Sequence, residues 1–553
     1  MLALTLLAAA SSSHNKSVTV DEYAYLPAGL AILRTGTFDF NEVVPPLAKV
    51  LVAAPLLFTD VSLDLTRPAT CREAWHCGKK FEIENAASFH TWFRIARTVP
   101  LIALLTVLLI CWGFSRSLYG PGGGLISLLF ACLSPNLLAH GRLVTTDIFL
   151  TAAVLGSLWA FDSFARRPAF RNAFGLGLTV GAAILFKFSG LLLLGLYPLI
   201  ALGSWLRSRG RVGEENPSES SGRRILTWGC FAFALACFVV NCGYLFEGSF
   251  TLLGHFEFTS PLFRSLLSVA PSWLPVPFPY HFFHGLDAQL AEQSRNAYLL
   301  GEFSPTGFLS YYAVGFLVKT PIPTLALAGL ALASRRQILP REWPMVVVGV
   351  FSFAFFSIAG HKNIGIRYLL FLVPMMCIWI GRIATASWWN SSKAAKATTT
   401  VLGVGVTWLL ITSAVSWPHF LPYFNLASGG PGRGHCYLLD SNLDWGQDLL
   451  ALAEFIRREN IKSVDLAYFG RTPPELYGIS YRRLGSRPFG RWAVISANLL
   501  WGRMYWINGK AWWPEDRDIF KAYRSLEPVA VLGHTLYVFD MRNRKRREKP
   551  ACR

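Results

Sequence analysis

Residues 98–139 read TVPLIALLTVLLICWGFSRSLYGPGGGLISLLFACLSPNLLA, and this stretch decides the class of fold. It holds two charge-free runs, 98–115 and 121–139, parted by Arg116 and a Gly-Pro pair. A hydrocarbon core about 30 Å thick takes roughly 20 apolar residues in helical form, and only a helix or a closed barrel satisfies its backbone inside lipid. The two runs therefore predict two membrane helices joined by a tight turn.

The same signature recurs along the chain. Further runs occupy 148–161, 172–186, 188–206, 225–246, 343–359, 368–381 and 397–417, and 303–334 is interrupted only by Lys319. Of the 553 residues, 53% are hydrophobic and 15% charged, against roughly 25% charged in ordinary soluble domains. The opening MLALTLLAAASSS is short for a span and reads as a truncated first helix or a signal-peptide core. Counted as a helix, it brings the expectation to about eleven crossings with the N-terminus inside.

The net charge of +19 raises the question of nucleic acid. The distribution of bases answers it. Arg116, Arg166, Arg167, Arg171, Arg207, Arg209, Arg211, Arg223, Arg224, Arg335, Arg336, Arg341, Arg382, Lys393 and Lys396 fall in loops on one side of this topology. The large loop 14–97 on the other side balances its bases with acids. This is the asymmetry of the positive-inside rule, not a nucleic-acid footprint.

Three segments fall outside: 14–97, about 247–302, and the tail after about 420. The second carries PSWLPVPFPYHFFHG, an aromatic and proline-rich composition suited to the membrane interface. The tail reads as a small α/β domain, with strands expected at HCYLLD, SVDLAYF, RWAVIS, PVAVLG and TLYVFD and a helix over GQDLLALAEFIRREN. The domains expected are thus a transmembrane body over 1–420, the tail domain over 421–545 and a basic end at 546–553. Most cysteines lie in apolar runs, whereas Cys71 and Cys77 share an outer loop where a disulfide can persist.

Ionisable groups at the membrane edge are costly, and they mark function by default. Asp21 and Glu22 open the first outer loop, and Asp147 stands where another outer loop re-enters the membrane. Each also suits a helix start, since Thr19-x-x-Glu22 matches a capping box and acids favour a first turn. On this same side lie cations that the positive-inside rule does not favour: Lys49, Arg142, Lys187, His361, Lys362 and Arg367. Single cations snorkel to headgroups. Several together hold an anion more economically, and a lipid-borne phosphate is the natural one. Asp440, Asp444 and Asp448 in DSNLDWGQD are read as structural, with Asp444-x-x-Gln447 as a second capping box.

Taken together, DEYAYLPAGLAILRTGTFDFNEVVPPLAK (21–49), HGRLVTTDIFLTA (140–152), FKFSGLLLL (186–194), LLGEFSPTGFLSYYAVGFLVKTPIP (299–323), GIRYLLFLVP (365–374) and YLLDSNLDWGQDL (437–449) resemble the family 39 glycosyltransferases. These are the protein O-mannosyltransferases and bacterial relatives, including enzymes that add aminoarabinose to lipid A. The resemblance runs from about residue 20 to 480. It implies a GT-C membrane fold and a polyprenyl-phosphate sugar donor. It also implies a reaction centre at Asp21 with Glu22 beside it and Asp147 as the second acidic position. The donor phosphate would be held by Lys49, Arg142, His361 and Arg367. Where the family's Pro-Pro-Leu-x-Lys segment usually follows a His, this chain has Val44.

The expectation is an integral membrane enzyme of the plasma (inner) membrane, with its site on the extracytoplasmic side. It would pass a hexosyl or pentosyl group to a glycan, lipid or protein with inversion. A single base with a cationic leaving-group pocket suits one displacement, whereas a glycosidase uses two carboxylates flanking the bond. No nucleotide-binding glycine fingerprint appears, and no spacing assigns a metal or other cofactor. The alternatives are a transporter or lipid flippase, and a membrane anchor for the tail domain. The first would favour internal repeats and midplane charges, neither of which the sequence displays.

Overall fold

The structure is a computed structural model. It describes the chain except residues 67–68, 210–218, 292–296, 334–337, 359–362, 387–388, 390, 504–505, 508–509, 512–516, 547–551 and 553. The body is a polytopic helical membrane protein. Among the described residues, six helical stretches are long and apolar enough to cross a bilayer, and seven if a bent pair counts as one. Shorter apolar helices cover Leu2–His14, Pro46–Phe58, Phe170–Phe186 and Leu372–Thr385.

The opening stretch folds as its punctuation predicts. Within Thr98–Cys132 the backbone breaks at Gly120, whose φ of 80° lies in the left-handed region. Pro121 disfavours helix for the residue before it, and glycine accepts the turn at no steric cost. The chain doubles back there: a Cβ on Gly124 would meet the Trp112 carbonyl oxygen at 2.9 Å, and Ser115 donates to the Gly123 carbonyl at 2.9 Å.

The run 303–334 differs from the single helix expected. Residues Ala297–Leu299 and Glu302–Ser304 form a small hairpin, followed by helices Tyr311–Lys319 and Ile322–Ala333 bent by 109°. Pro321 and Pro323 account for the break, because neither continues the hydrogen-bond ladder. Lys319 stands at the break and is buried, with its ammonium donating to the carbonyls of Leu421 and Asn442 at 2.7 and 2.6 Å.

Loop 14–97 is itself folded, chiefly into helices Val20–Thr35, Pro46–Ala53, Ala74–Glu84 and Phe89–Ala96, with Cys71 and Cys77 joined in a disulfide. In the second outer segment, helix Pro261–Val269 buries Phe263 and exposes Leu262, Leu266 and Val269 along one face. Such an amphipathic stripe lies comfortably in a membrane interface.

In the tail, a five-stranded sheet runs in the order Tyr481–Arg483, Val464–Ala467, Trp492–Ser496, Leu536–Asp540, Ala530–Leu532. The first three strands are parallel and the other two pairings antiparallel. Strand periodicity divides its two faces. Val494, Leu536 and Val538 pack with Leu449, Leu452 and Phe455 of helix Leu449–Arg458. Ala493, Ile495, Tyr537 and Phe539 join the core of the body. HCYLLD is not a strand; 3-10 turns flank it at Pro431–Cys436 and Asp440–Asn442. Tyr437 takes a helical backbone (φ −110°, ψ −54°) and Asp440 has φ of 60°, so the segment turns where a strand would stay extended. A second disulfide, Cys436–Cys552, ties the chain's end to this turn and has no counterpart in the sequence expectations.

Candidate active site

Helix Val20–Thr35 begins just after the first outer turn and projects Asp21 and Glu22 in different directions, since successive helical residues stand about 100° apart. Asp21 faces a group of charges gathered from four segments. Arg367, in the turn Ile366–Leu369, donates through Nη1 to Asp21 Oδ2 at 2.7 Å and approaches Asp147 Oδ2 at 3.4 Å. Lys187 donates to Asp147 Oδ1 at 2.7 Å and lies 4.1 Å from the centre of the Tyr368 ring. Tyr25, one turn along the helix, donates to Asp21 at 3.3 Å.

Local structure explains these positions. Asp147 is the first residue of helix Asp147–Arg166, and Asp21 lies in the first turn of its own helix. Both carboxylates therefore sit in the favourable field of unpaired N–H groups. Lys187 adopts an extended conformation between helices Phe170–Phe186 and Leu191–Arg209, which throws its side chain toward Asp147. Two carboxylates against two cations balance the charge. They are not equally accessible: the Asp147 side chain is 0% exposed and that of Asp21 is 16% exposed. Arg367 Nε is buried with no hydrogen-bond partner among the described residues.

Glu22 turns away into a second cluster. Its carboxylate takes Arg97 Nε and Nη2 at 2.8 and 2.6 Å, the Val144 amide at 3.0 Å and the Thr19 amide at 2.9 Å, completing the capping half expected of it. It is fully buried and satisfied, an arrangement suited to holding loops together and not to touching a substrate. Beside it Lys16 pairs with Asp448 and His419.

The remaining expected cations are also dispersed. Arg142 is buried, donates only to the Ser12 carbonyl at 3.3 Å, and leaves Nε and Nη2 without partners among the described residues. Burial, then the neighbouring Arg97, pushes its guanidinium down to about 9. Lys49 is buried and donates to the carbonyls of Phe40 and Asn41 at 3.0 and 2.8 Å; burial lowers it to about 7 against the pull of Glu42. His361 lies outside the described residues. Lys187, not among the four cations expected to hold the phosphate, joins the central group.

Next to Lys49, Glu42 bonds to Nδ1 of both His281 and His284, and a Cβ on Gly285 would lie 2.1 Å from the Glu42 carbonyl oxygen. The loop that has Val44 where the family pattern has His thus meets two imidazoles from another segment. For metals, the convergent group among the described residues is His435, Cys436 and Cys552, whose two sulfurs are joined to each other.

A search of curated protein sequences finds no match. Among solved structures, ArnT from Cupriavidus metallidurans in the apo state aligns at 13% identity over 97% of this chain and 96% of that one, with a TM-score of 0.49. The same protein bound to undecaprenyl phosphate aligns at 12% identity, with the same coverage and TM-score. The archaeal oligosaccharyltransferase AglB from Archaeoglobus fulgidus, in complex with an inhibitory peptide and a dolichol-phosphate, aligns at 14% identity over 83% of this chain and 58% of that one, with a TM-score of 0.43. The family model for dolichyl-phosphate-mannose-protein mannosyltransferases matches residues 89–212, and over that stretch, which carries Asp147 and Lys187, the chain is similar to that family.

Proposed function

We propose that this chain is an integral-membrane glycosyltransferase that moves a sugar from a polyprenyl-phosphate carrier to an acceptor at the outer membrane face. The observation that carries the reading is the group Asp21–Arg367–Asp147–Lys187, which joins one partly open carboxylate to two cations. The name of the matching family model points to the same donor chemistry.

In this reading Asp21 accepts the proton of the acceptor's nucleophile as that atom attacks the anomeric carbon. The bond from that carbon to the phosphate oxygen breaks, and the lipid phosphate leaves with the electron pair. Arg367, whose Nε has no acceptor among the described residues, and Lys187 neutralise the charge that develops. Asp147 orients both cations. A single displacement inverts the sugar carbon. Of the cations expected from the sequence, Arg367 is the one assigned here to the phosphate. Lys49 and Arg142 shape the loops around it. The site lies on the side opposite the arginine-rich loops, in a topology of about eleven crossings.

The test is transfer from a radiolabelled polyprenyl-phosphate sugar in membranes carrying the wild type or Asp21→Asn. Equal transfer by the two removes Asp21 from the reaction. Absence of any transfer by the wild type, across glycan, lipid and protein acceptors, overturns the reading as a whole.

A further inference from the structure

The segment Asp440–Asp448, DSNLDWGQD, belongs by sequence to the tail, yet it touches both halves of the Asp21–Arg367 pair. Ser441 donates to the Ile364 carbonyl at 2.7 Å, and the Asn442 side-chain oxygen accepts the Ile366 amide at 3.0 Å. These bonds hold the backbone immediately before Arg367. Further along the segment, the Trp445 carbonyl accepts the Val20 amide at 3.1 Å and the Gln447 carbonyl accepts the Ser17 amide at 2.9 Å. Those bonds hold the backbone immediately before Asp21.

Between these two clamps the Trp445 ring lies under the Arg367 guanidinium, 4.4 Å from ring centre to the guanidinium carbon. A cation over an indole face at this range is attracted by the ring's quadrupole, and burial strengthens the effect. Trp445 is almost fully buried, and the His140 ring packs edge-on against it. Its amide donates to its neighbour Gln447 at 2.6 Å. The ring has little freedom to move.

The sheet domain holds the segment from below. Asp444 accepts Ser496 Oγ at 2.5 Å and the Gly446 amide at 3.1 Å, and Asn498 donates to the Asp444 carbonyl at 2.8 Å. Gly446 has φ of 82°, and a Cβ there would come within 2.6 Å of the Tyr468 hydroxyl, so the turn that aims Trp445 needs glycine.

We infer that Asp440–Asp448 is the template that sets the Asp21–Arg367 pair, and that Trp445 is the positioning residue that holds the Arg367 guanidinium flat and aimed between Asp21 and Asp147. The tail domain then completes the site. The inference rests on the reading of Arg367 as the cation that meets the donor phosphate. Trp445 contacts no reacting atom; it acts through Arg367.

A double-mutant cycle on the full-length protein in nanodiscs tests this, with undecaprenyl phosphate as the probe and its dissociation constant as the readout. Trp445→Leu should weaken binding by about tenfold, between the values for exposed and desolvated cation–π contacts. Arg367→Gln should weaken it at least as much, and the double variant no more than Arg367→Gln alone. A tryptophan with a merely structural role gives losses that add, or none, and either result overturns the inference while leaving Arg367 as the phosphate ligand. Equal binding by the wild type and Arg367→Gln overturns the donor reading, and the inference with it. If Trp445→Leu does not fold, fluorinated tryptophans placed at 445 alone preserve the shape and weaken the ring's attraction stepwise. Affinity should then fall with each added fluorine, and a flat series overturns the inference.

Discussion

Arg367 Nη1 stands 2.7 Å from Asp21 Oδ2, although 346 residues of chain separate the two. Neighbouring Glu22 makes an equally close pair with Arg97, in a different and fully closed cluster. The two adjacent acids thus lie in two separate clusters, and substitutions test what each does.

Asp21→Asn preserves size and most hydrogen bonding while removing the base. Transfer should fall by about 10²–10⁴-fold, while thermal unfolding moves less than for a fully buried pair, because Asp21 is 16% exposed, Asp147 still faces Arg367 and the helix start retains Thr19 and Glu22. Initial rates with the labelled donor, set beside an unfolding curve in detergent, check both halves. More than about a tenth of wild-type activity would disprove the assignment, and Asp147 would take its place.

Glu22→Gln should do the reverse. Removing one partner of a buried ion pair leaves Arg97 uncompensated and costs about 3–5 kcal/mol. The expected result is a marked loss of folded protein, with the remaining folded fraction keeping its affinity for undecaprenyl phosphate. A normal unfolding midpoint with lost transfer would return Glu22 to the reaction centre.

Arg367→Ala should weaken donor use more than tenfold, roughly the 1.5–3 kcal/mol of a charge-assisted bond. Lys49→Met should leave donor affinity within about threefold and lower stability instead, because Lys49 spends its donors on the Phe40 and Asn41 carbonyls. Donor titrations of the two variants decide this. A tenfold loss in Lys49→Met would bring that ammonium back to the phosphate.

The Glu42–His281–His284 contact should make stability depend on pH. Burial disfavours the Glu42 charge, but hydrogen bonds from both imidazoles hold its carboxyl down at about 2, against an ordinary 4.5. His281 is raised above 6.5 by its bond to Glu42 despite burial, and His284 chiefly by the same partner. The depressed acid contributes stability that is full above 4.5 and lost as pH falls toward 2. The raised bases contribute stability that is full below 6.5 and lost as pH climbs through their folded values. The gap in melting temperature between the wild type and Glu42→Gln should therefore be widest between pH 4.5 and 6.5 and narrow on both sides. A gap constant from pH 5 to 9 would mean that the imidazoles are not charged in the folded protein.

Topology is open to direct labelling. A cysteine at Glu459, on the exposed end of helix Leu449–Arg458, should react with an impermeant reagent from outside. One at exposed Arg171 should react only after the membrane is opened. The opposite pattern would invert the arrangement.

The sequence by itself determined what depends on neighbours along the chain. Apolar length made the helices, and Gly120-Pro121 made the hairpin between two of them. Short apolar runs rich in β-branched and aromatic residues made the strands at 464–467, 492–496 and 536–540. It also singled out Asp21, Asp147 and Arg367, because ionisable groups at a membrane edge are costly enough to stand out. Tertiary structure alone decided their company. Glu22 and Lys49 carry the same charges in a list of residues whether they face a substrate or a carbonyl, and only helix phase and packing turned them inward. Lys187 was indistinguishable from a snorkelling lysine until Asp147 came within 2.7 Å. Nothing local marks Trp445, since contact between its indole and a guanidinium 78 residues earlier depends on how a sheet seats against a helical bundle, and no local pattern encodes that.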